Sequence, residues 1–323
     1  MYEVFFCHRC GKLLSNNREV GVEFYSAVKQ YKQQRAGKDK NMRRDENEIR
    51  VLIDEAIAGN NRSLEKLLDS VQDIVFNLSL RMLGTVQDAE DAAQEILIRI
   101  MTHLSSFRRE SSFRTWVYRL AVNYLKNYKR SMFAGQPLDF EYYGNDIRYA
   151  DMGSIDDLVD DISRETLAEE LKMCCTNVML QCLDPESRCI FIFGTMFKLD
   201  SHTAGEILDL TPENYRKKLS RIRKKVAAFL DVHCGLTEKG ICSCSRRVNY
   251  AISQRRINPE KLDYLKLQTM DQEVSKEFMD EMEKLDALAL TFEMLPSYQS
   301  PVRAQDVVCK ILQSASFKKI QEL

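Results

Sequence analysis

The chain has 323 residues, 44% hydrophobic and 29% charged, with a formal net charge of −1. That length suggests about two or three domains, the apolar share excludes broad disorder, and no run of about 18 apolar residues offers a membrane span. Gly and Pro are scarce, at 12 and 6, and Val, Ile and Thr do not gather into alternating runs, so the expected fold class is all-α. The first residues, MYEVFFCHRCGKLL, lack the apolar core of a secretory signal, which points to a cytoplasmic protein. Ten Cys in such a chain are not read as disulfide staples.

Charge is segregated into blocks. Residues 99–130 hold eight Lys/Arg and one acid, residues 139–161 eight acids and one Arg, and residues 216–225 seven Lys/Arg in ten positions. Blocks of opposite sign imply different partners for different segments, whatever the net charge.

Residues 1–47 are polar, basic and weakly periodic, and Met42 is an alternative start to Met1. Cys7-His8-Arg9-Cys10 resembles half of a zinc ribbon whose second half is not nearby. From Leu64, the residues Leu67, Leu68, Val71, Val75, Leu78 and Met82 form a one-sided helical stripe, which Gly84 ends. Asp88 is the expected N-cap of the next helix. This helix buries Ala92, Ala93, Ile96, Ile100 and Leu104 and shows Asp88, Asp91, Gln94 and Glu95 on its other face. Ser112 is the expected cap of a third helix. Its buried stripe is Phe113, Trp116, Val117, Leu120, Ala121, Tyr124, Leu125 and Tyr128, and Arg114, Arg119, Asn123, Lys126, Lys129 and Arg130 lie opposite. Together these helices make a first domain over residues 48–133.

Residues 134–165 are acidic and aperiodic and read as a linker. In the second domain, residues 166–232, Asp184-Pro185 starts a helix, and Cys174, Cys175, Cys182 and Cys189 read as small buried hydrophobes. Ser201 caps a short helix over residues 202–208, Asp209-Leu210 turns the chain, and Thr211-Pro212 begins a basic helix with the stripe Tyr215, Leu219, Ile222, Val226 and Phe229. A Cys-bearing helical extension, residues 233–323, follows. In it Phe278, Met282, Leu285, Ala289 and Phe292 form the seam of a long helix that Pro296 ends.

Two short helices joined by a tight turn, the second strongly basic, are the layout of a helix-turn-helix. The second helix of that motif enters the major groove. Phosphate contacts supply affinity, and base reading falls to exposed residues near the helix start: Glu213, Asn214, Arg216, Lys217, Ser220 and Arg221. The third helix of the first domain interleaves cations with aromatics, a composition suited to unstacked single strands. Trp116, Tyr124 and Tyr128 lie on its buried stripe, whereas Tyr118 and Phe107 escape it on periodicity. The acidic face at Asp88, Asp91, Gln94 and Glu95 reads either as solvated or as a protein-docking face. His233, Cys234, Cys242 and Cys244 supply four N/S donors within twelve residues, a set that suits tetrahedral zinc, although reduced, partly exposed thiols without a ligand explain them somewhat better. Gly235 and Gly240 would let the intervening loop turn back.

The string DAEDAAQEILIRIMTHLSSFRRESSFRTWVYRLAVNYLKNYKR resembles region two of the extracytoplasmic-function sigma factors of the sigma-70 family. LDPESRCIFIFGTMFKLDSHTAGEILDLTPENYRKKLSRIRKKV resembles their region four. The resemblance implies a non-enzymatic factor that binds core RNA polymerase and promoter DNA, with no membrane insertion and no required cofactor; an anti-sigma factor is a further partner the family admits. It implies that Asp88, Asp91, Gln94 and Glu95 dock on the polymerase. Phe107, Arg114, Trp116, Tyr118, Arg119, Asn123 and Lys126 would open the −10 element, the basic helix would read the −35 element, and the acidic linker would thread the polymerase cleft. Gly205 and Asp209 depart from the family's usual Ala and Gly, and members of minimal length end near residue 230. A helix-turn-helix regulator acting without polymerase is the alternative. A nucleic-acid enzyme would need clustered catalytic groups, and the four His are dispersed.

Overall fold

A computed structural model describes residues 5–6, 13–14, 46–128, 138–149, 163–235, 240–268, 292 and 296–313. The Cys7–Cys10 motif, Met42, Lys129, Arg130 and nearly all of the expected 270–295 helix lie outside these residues. The chain divides into two compact units, Met1–Asp54 and Glu55–Leu323. The first contains a two-residue antiparallel ladder, β1 (Phe5–Phe6) with β2 (Leu13–Leu14), pairing Phe5 with Leu14. A helix over residues 46–57, α1, crosses the boundary. In the second unit every regular element among the described residues is helical, in agreement with the all-α reading.

Helix α2 (Asn61–Leu83) begins at Asn60, whose side chain accepts the N–H groups of Arg62 and Ser63, and ends at Gly84 with φ 85°, where the Gly84 N–H donates to Leu80. Only glycine adopts that left-handed geometry without steric penalty. Helix α3 (Val86–His103) starts three residues earlier than expected. Its cap is Thr85, whose Oγ1 accepts the Asp88 N–H at 3.2 Å and donates to the Asp88 carboxylate at 2.9 Å. Thr85 and Asp88 are chemically interchangeable caps, so composition could not fix the register. A single 3₁₀ turn (Leu104–Ser106) leads to α4 (Phe113–Lys126), capped by Ser112 as expected. Leu67, Leu68, Val75 and Leu78 of α2, Ala92, Ala93 and Ile96 of α3, and Val117 of α4 are fully buried. Burying an aliphatic side chain of Val or Leu size is worth about 1.5–3 kcal/mol, which is what holds this bundle together.

The expected linker contains a helix, α5 (Phe140–Tyr149). Its apolar side packs on the basic helix, with the Tyr143 and Phe229 rings stacked at 5.9 Å. Its second acid, Asp146, is not solvated, whereas Glu141 is exposed. Asp146 accepts from both terminal nitrogens of Arg256 at 2.6 and 2.7 Å, from Arg247 at 2.9 Å and from the Tyr250 hydroxyl at 2.7 Å. Helix α6 (Arg164–Leu180) follows, then α7 (Pro185–Phe191), a π turn (Ile192–Met196), α8 (Ser201–Leu208) and α9 (Pro212–His233). Asp200, not Ser201, caps α8, accepting the His202 and Thr203 N–H groups. In the extension, α10 (Cys244–Ser253) packs on α6 through Leu167, Leu171, Val248 and Ala251, and α11 (Ala304–Leu312) packs on α2 and α3.

Burial alone would raise the Asp146 carboxyl above its ordinary value of 3.8, but the hydrogen bonds from Arg256 and Tyr250 and the two guanidinium charges hold it below that value. A folded-state value depressed in this way contributes stability that is complete above the ordinary range. It is lost as pH falls from 3.8 through the depressed value. The Asp146 and Arg247 side chains are only 9% and 5% exposed, and removing one partner of such a pair strands the other. Asp146→Asn is therefore expected to cost about 3 kcal/mol at pH 7 and to flatten the acid limb of a plot of unfolding free energy against pH, both measurable by urea titration.

Candidate nucleic-acid and protein-docking surfaces

The helix-turn-helix has the geometry its sequence requires. Asp209 adopts φ 56°, ψ 42°, the left-handed conformation that Asp tolerates better than most residues. The Leu210 N–H then donates to Gly205 at 2.9 Å. A Cβ at Gly205 would lie 2.5 Å from the Leu210 carbonyl oxygen, so the glycine lets the turn close on α8. Thr211 caps α9, with Pro212 at its first position.

The expected base-reading residues Glu213, Asn214, Arg216, Lys217, Ser220 and Arg221 are all exposed on α9. Glu213 pairs with Lys217 at 2.7 Å, and Arg216 donates to the Ser201 hydroxyl at 2.8 Å. Not every cation of the basic block faces solvent. Arg223 turns inward and donates to the Thr195 hydroxyl at 3.0 Å and the Gly194 carbonyl at 2.8 Å, fastening α9 to the π turn. Tyr215 is 1% exposed and donates to the Ile190 carbonyl. These anchors hold one face of α9 and leave the other free.

On α4 the outcome is divided. Arg114, Asn123 and Lys126 are exposed, and Phe107 and Trp116 are half-buried in an aromatic cluster with Phe113, Phe107 lying 5.4 Å from Trp116. Beside them an open cleft of ≈390 Å³ is lined by Arg99, His103, Leu120, Asn123, Tyr124 and Asn127, with Arg99 over the Tyr124 ring at 4.8 Å. Tyr118 overturns the periodicity argument. It is 5% exposed, edge-on to Phe193 at 5.2 Å and near Phe197 at 6.3 Å, and burial pushes its hydroxyl up to about 12. Arg119 is half-buried and donates twice to the Glu206 carbonyl, at 3.0 and 2.8 Å, with the Glu206 carboxylate at 3.5 Å. Both residues lie on the polar side of α4 in a helical projection, but there that side packs against the π turn and α8.

On α3, Asp91 is exposed and Asp88, Gln94 and Glu95 are half-buried. Glu90, an acid the sequence places near the start of this helix, has its carboxyl raised by burial, against the opposing effect of Lys266 from the extension.

His233, Cys234, Cys242 and Cys244 do not converge. The His233 ring lies 4.6 Å from Phe229 and fits against Gly144, and its basicity is lowered by burial and then by Arg148. The Cys242 N–H donates to the His233 carbonyl at 3.2 Å, while residues 236–239 of the intervening loop lie outside the described residues. Among the described residues no three His, Cys, Asp or Glu side chains are grouped to hold a metal. Cys242 and Cys244 instead share a small enclosed space with Cys174 and Cys175 of α6. Burial raises all four thiols, Cys174 and Cys244 to about 12. A protonated buried thiol is a poor nucleophile. No helix among the described residues is long and apolar enough to cross a membrane.

Residues 67–132 match the family model described as sigma-70 region 2. Over 98 residues the chain is 34% identical to the ECF RNA polymerase sigma factor SigW of Bacillus subtilis, covering 30% of this chain and 52% of the relative. Over 77 residues it is 35% identical to the RNA polymerase sigma-H factor of Pseudomonas aeruginosa, covering 24% and 40%. Against the ECF RNA polymerase sigma-E factor of Haemophilus influenzae the identity is 26% over 176 residues, covering 54% and 92%. The chain thus spans about half the length of the first two relatives. The solved structure of CnrH in complex with the cytosolic domain of CnrY is similar at a TM-score of 0.41 and 19% identity, covering 57% of this chain and 97% of that one.

Gly205→Ala tests the turn. Helix propensity alone favours Ala by about 1 kcal/mol, whereas overpacking against a backbone carbonyl costs about 1–3 kcal/mol. The second effect should win. A lower melting temperature is expected, together with weaker binding of duplex DNA by the full-length chain.

Proposed function

We propose that this chain, a relative of the extracytoplasmic-function sigma factors that carries a sigma-70 region 2, binds core RNA polymerase and directs it to promoters. The proposed role is one of binding and placement, without catalysis. The observation that carries the reading is the pairing of two different cationic faces on one chain. Helix α9 offers a one-sided exposed basic face at the end of a helix-turn-helix, while α4 sets exposed cations and half-buried rings beside a cleft.

Each face has its own physical task. Arg216, Lys217, Ser220 and Arg221 suit the edges and phosphates of the upstream, −35 duplex, where cations supply affinity and bidentate guanidinium contacts supply sequence. Phe107 and Trp116, with Arg114, Asn123 and Lys126, suit a melted −10 strand, in which rings stack on bases and cations follow phosphates. Tyr118 and Arg119 would join them only after leaving Phe193 and Glu206. The face at Asp88, Asp91, Gln94 and Glu95 suits a basic or hydrogen-bonding protein surface, for which we propose the core polymerase. A regulator working without polymerase accounts for α9 but gives no task to α3 or α4, and a stoichiometric complex with core enzyme separates the two readings.

Purified full-length protein added to core polymerase should start transcripts at defined sites. Failure to redirect core enzyme on any promoter of a genomic library would refute the proposal. Arg221→Ala is expected to weaken upstream footprints by about 1–3 kcal/mol if it contacts a base, and Arg216→Ala to lower the salt slope by about one if it contacts a phosphate. Unchanged footprints and slopes for both would take α9 off the DNA. Charge reversal at Asp91 with Glu95 should weaken core binding severalfold with helical content retained. Normal binding by that variant would make the face a solvated one.

A further inference from the structure

The extension beyond α9 has no task in the reading above, yet it contributes some of the best-satisfied polar contacts in the protein. It grips both helical blocks at once. On the first block, Tyr298 and the buried Asn77 of α2 form a reciprocal pair, the Tyr298 N–H donating to the Asn77 side chain at 2.9 Å and the Asn77 amide donating to the Tyr298 carbonyl at 2.7 Å. The Tyr264 hydroxyl donates to the Gly84 carbonyl in the α2–α3 turn at 2.7 Å. On the second block, the carboxylate of Glu170 in α6, 3% exposed, accepts the N–H groups of Asp263, Tyr264 and Leu265 at 2.7–3.2 Å. Tyr264 therefore joins the two blocks by itself, its backbone held by α6 and its hydroxyl by the α2–α3 turn.

The seam that is held shut is the one that hides α4. While the blocks are closed, Tyr118 is covered by Phe193 and Arg119 is spent on Glu206. Arg114, Asn123 and Lys126, further from the seam, stay exposed. Half of a single-strand-binding face is thus available and half is not, and the boundary between them is the contact between the blocks.

We propose that residues 240–268 and 296–312 are an intramolecular partner for the two helical blocks, a clamp whose docking keeps Tyr118 and Arg119 from single-stranded DNA and whose release exposes them. The proposal rests on the reading of α4 as a single-strand-binding face. The clamp occupies a surface made jointly by α2 and α6, so any separation of the blocks must break it. Anything that loosens it must favour the separated form by the same factor, because the two equilibria are linked. The number of buried polar groups at the joint makes it selective: parting leaves the Glu170 carboxylate and the Asn77 amide to be satisfied by water or by new partners.

The test uses the full-length chain with a fluorescent donor and acceptor, introduced as unnatural amino acids at the exposed positions Gln87 and Ala228. The probe is a single-stranded DNA dodecamer. Tyr264→Ala combined with Tyr298→Ala should lengthen the donor–acceptor distance and tighten dodecamer binding by about fivefold or more, while circular dichroism shows the helices retained. An unchanged distance with retained helices overturns the clamp. A longer distance with unchanged dodecamer affinity overturns the occlusion. If the double variant loses its helices, Tyr264→Phe, which removes only the bond to Gly84, should shift distance and affinity in the same direction to a smaller extent; no shift in either again overturns the proposal. If the distance changes but neither form engages DNA or core enzyme, the reading of the function fails while the clamp stands.

Discussion

Arg81 is 2% exposed, and a guanidinium buried that deeply must find a partner for each N–H it has taken out of water. Burial lowers its basicity, and its partners among the described residues are neutral: the Asn177 side chain at 2.7 Å, the Pro296 carbonyl at 2.6 Å and the Tyr298 ring at 5.7 Å. These belong to α6 and to the extension, whereas Arg81 itself ends α2. One cation thus requires three segments, from the beginning, middle and end of the chain, to be in place together. Nearby, Arg188 of α7 repeats the device, donating to the carbonyls of Met82, Leu180 and Leu183. Such contacts contribute modestly to net stability when complete, but they are expensive to leave half-made. They select one arrangement of the helices more than they strengthen it.

The rest of the second unit follows from that constraint. With α2 and α6 fixed side by side, α7 and the π turn come against α4, and the polar face of α4 divides into a covered part and a free part. Helix α9 escapes the same fate because its own anchors, Tyr215 and Arg223, face the π turn and leave its basic side outward. One of the two proposed DNA-binding faces is therefore complete in the closed protein and the other incomplete. That asymmetry fits the proposed role, in which single strands are engaged only within the complex with polymerase.

The acidic segment shows how a local reading can miss a distant partner. Asp146 belongs to a run that composition assigns to solvent, yet it neutralises two guanidinium groups about a hundred residues further on. Those cations belong to the extension, so Asp146 and the basic start of the extension form one electrostatic unit. The cysteines show the same effect. Cys242 and Cys244 were paired by proximity in sequence with His233, whereas the fold pairs them with Cys174 and Cys175 across a helix packing.

Much of what the period of the helix governs was legible in the sequence: the stripes of α2 and α3, the stop at Gly84, the left-handed turn at Asp209, and the exposed basic face of α9. These depend on interactions within about four residues, which a sequence states directly. On α4 the expected Trp116, Leu120, Tyr124 and Tyr128 are only half-buried, and Tyr118 and Val122 are buried instead. The cap of α3 was misplaced because Thr85 and Asp88 offer the same chemistry three residues apart. What the tertiary structure alone decided was which polar faces meet solvent. Periodicity separates one side of a helix from the other, but it cannot tell water from a second helix block. Tyr118, on the outer side of α4, went to Phe193, and Asp146, in an acidic run, went to Arg247 and Arg256. Those partners lie 75 or more residues away, and only the packing of whole helices brings them within a few ångströms.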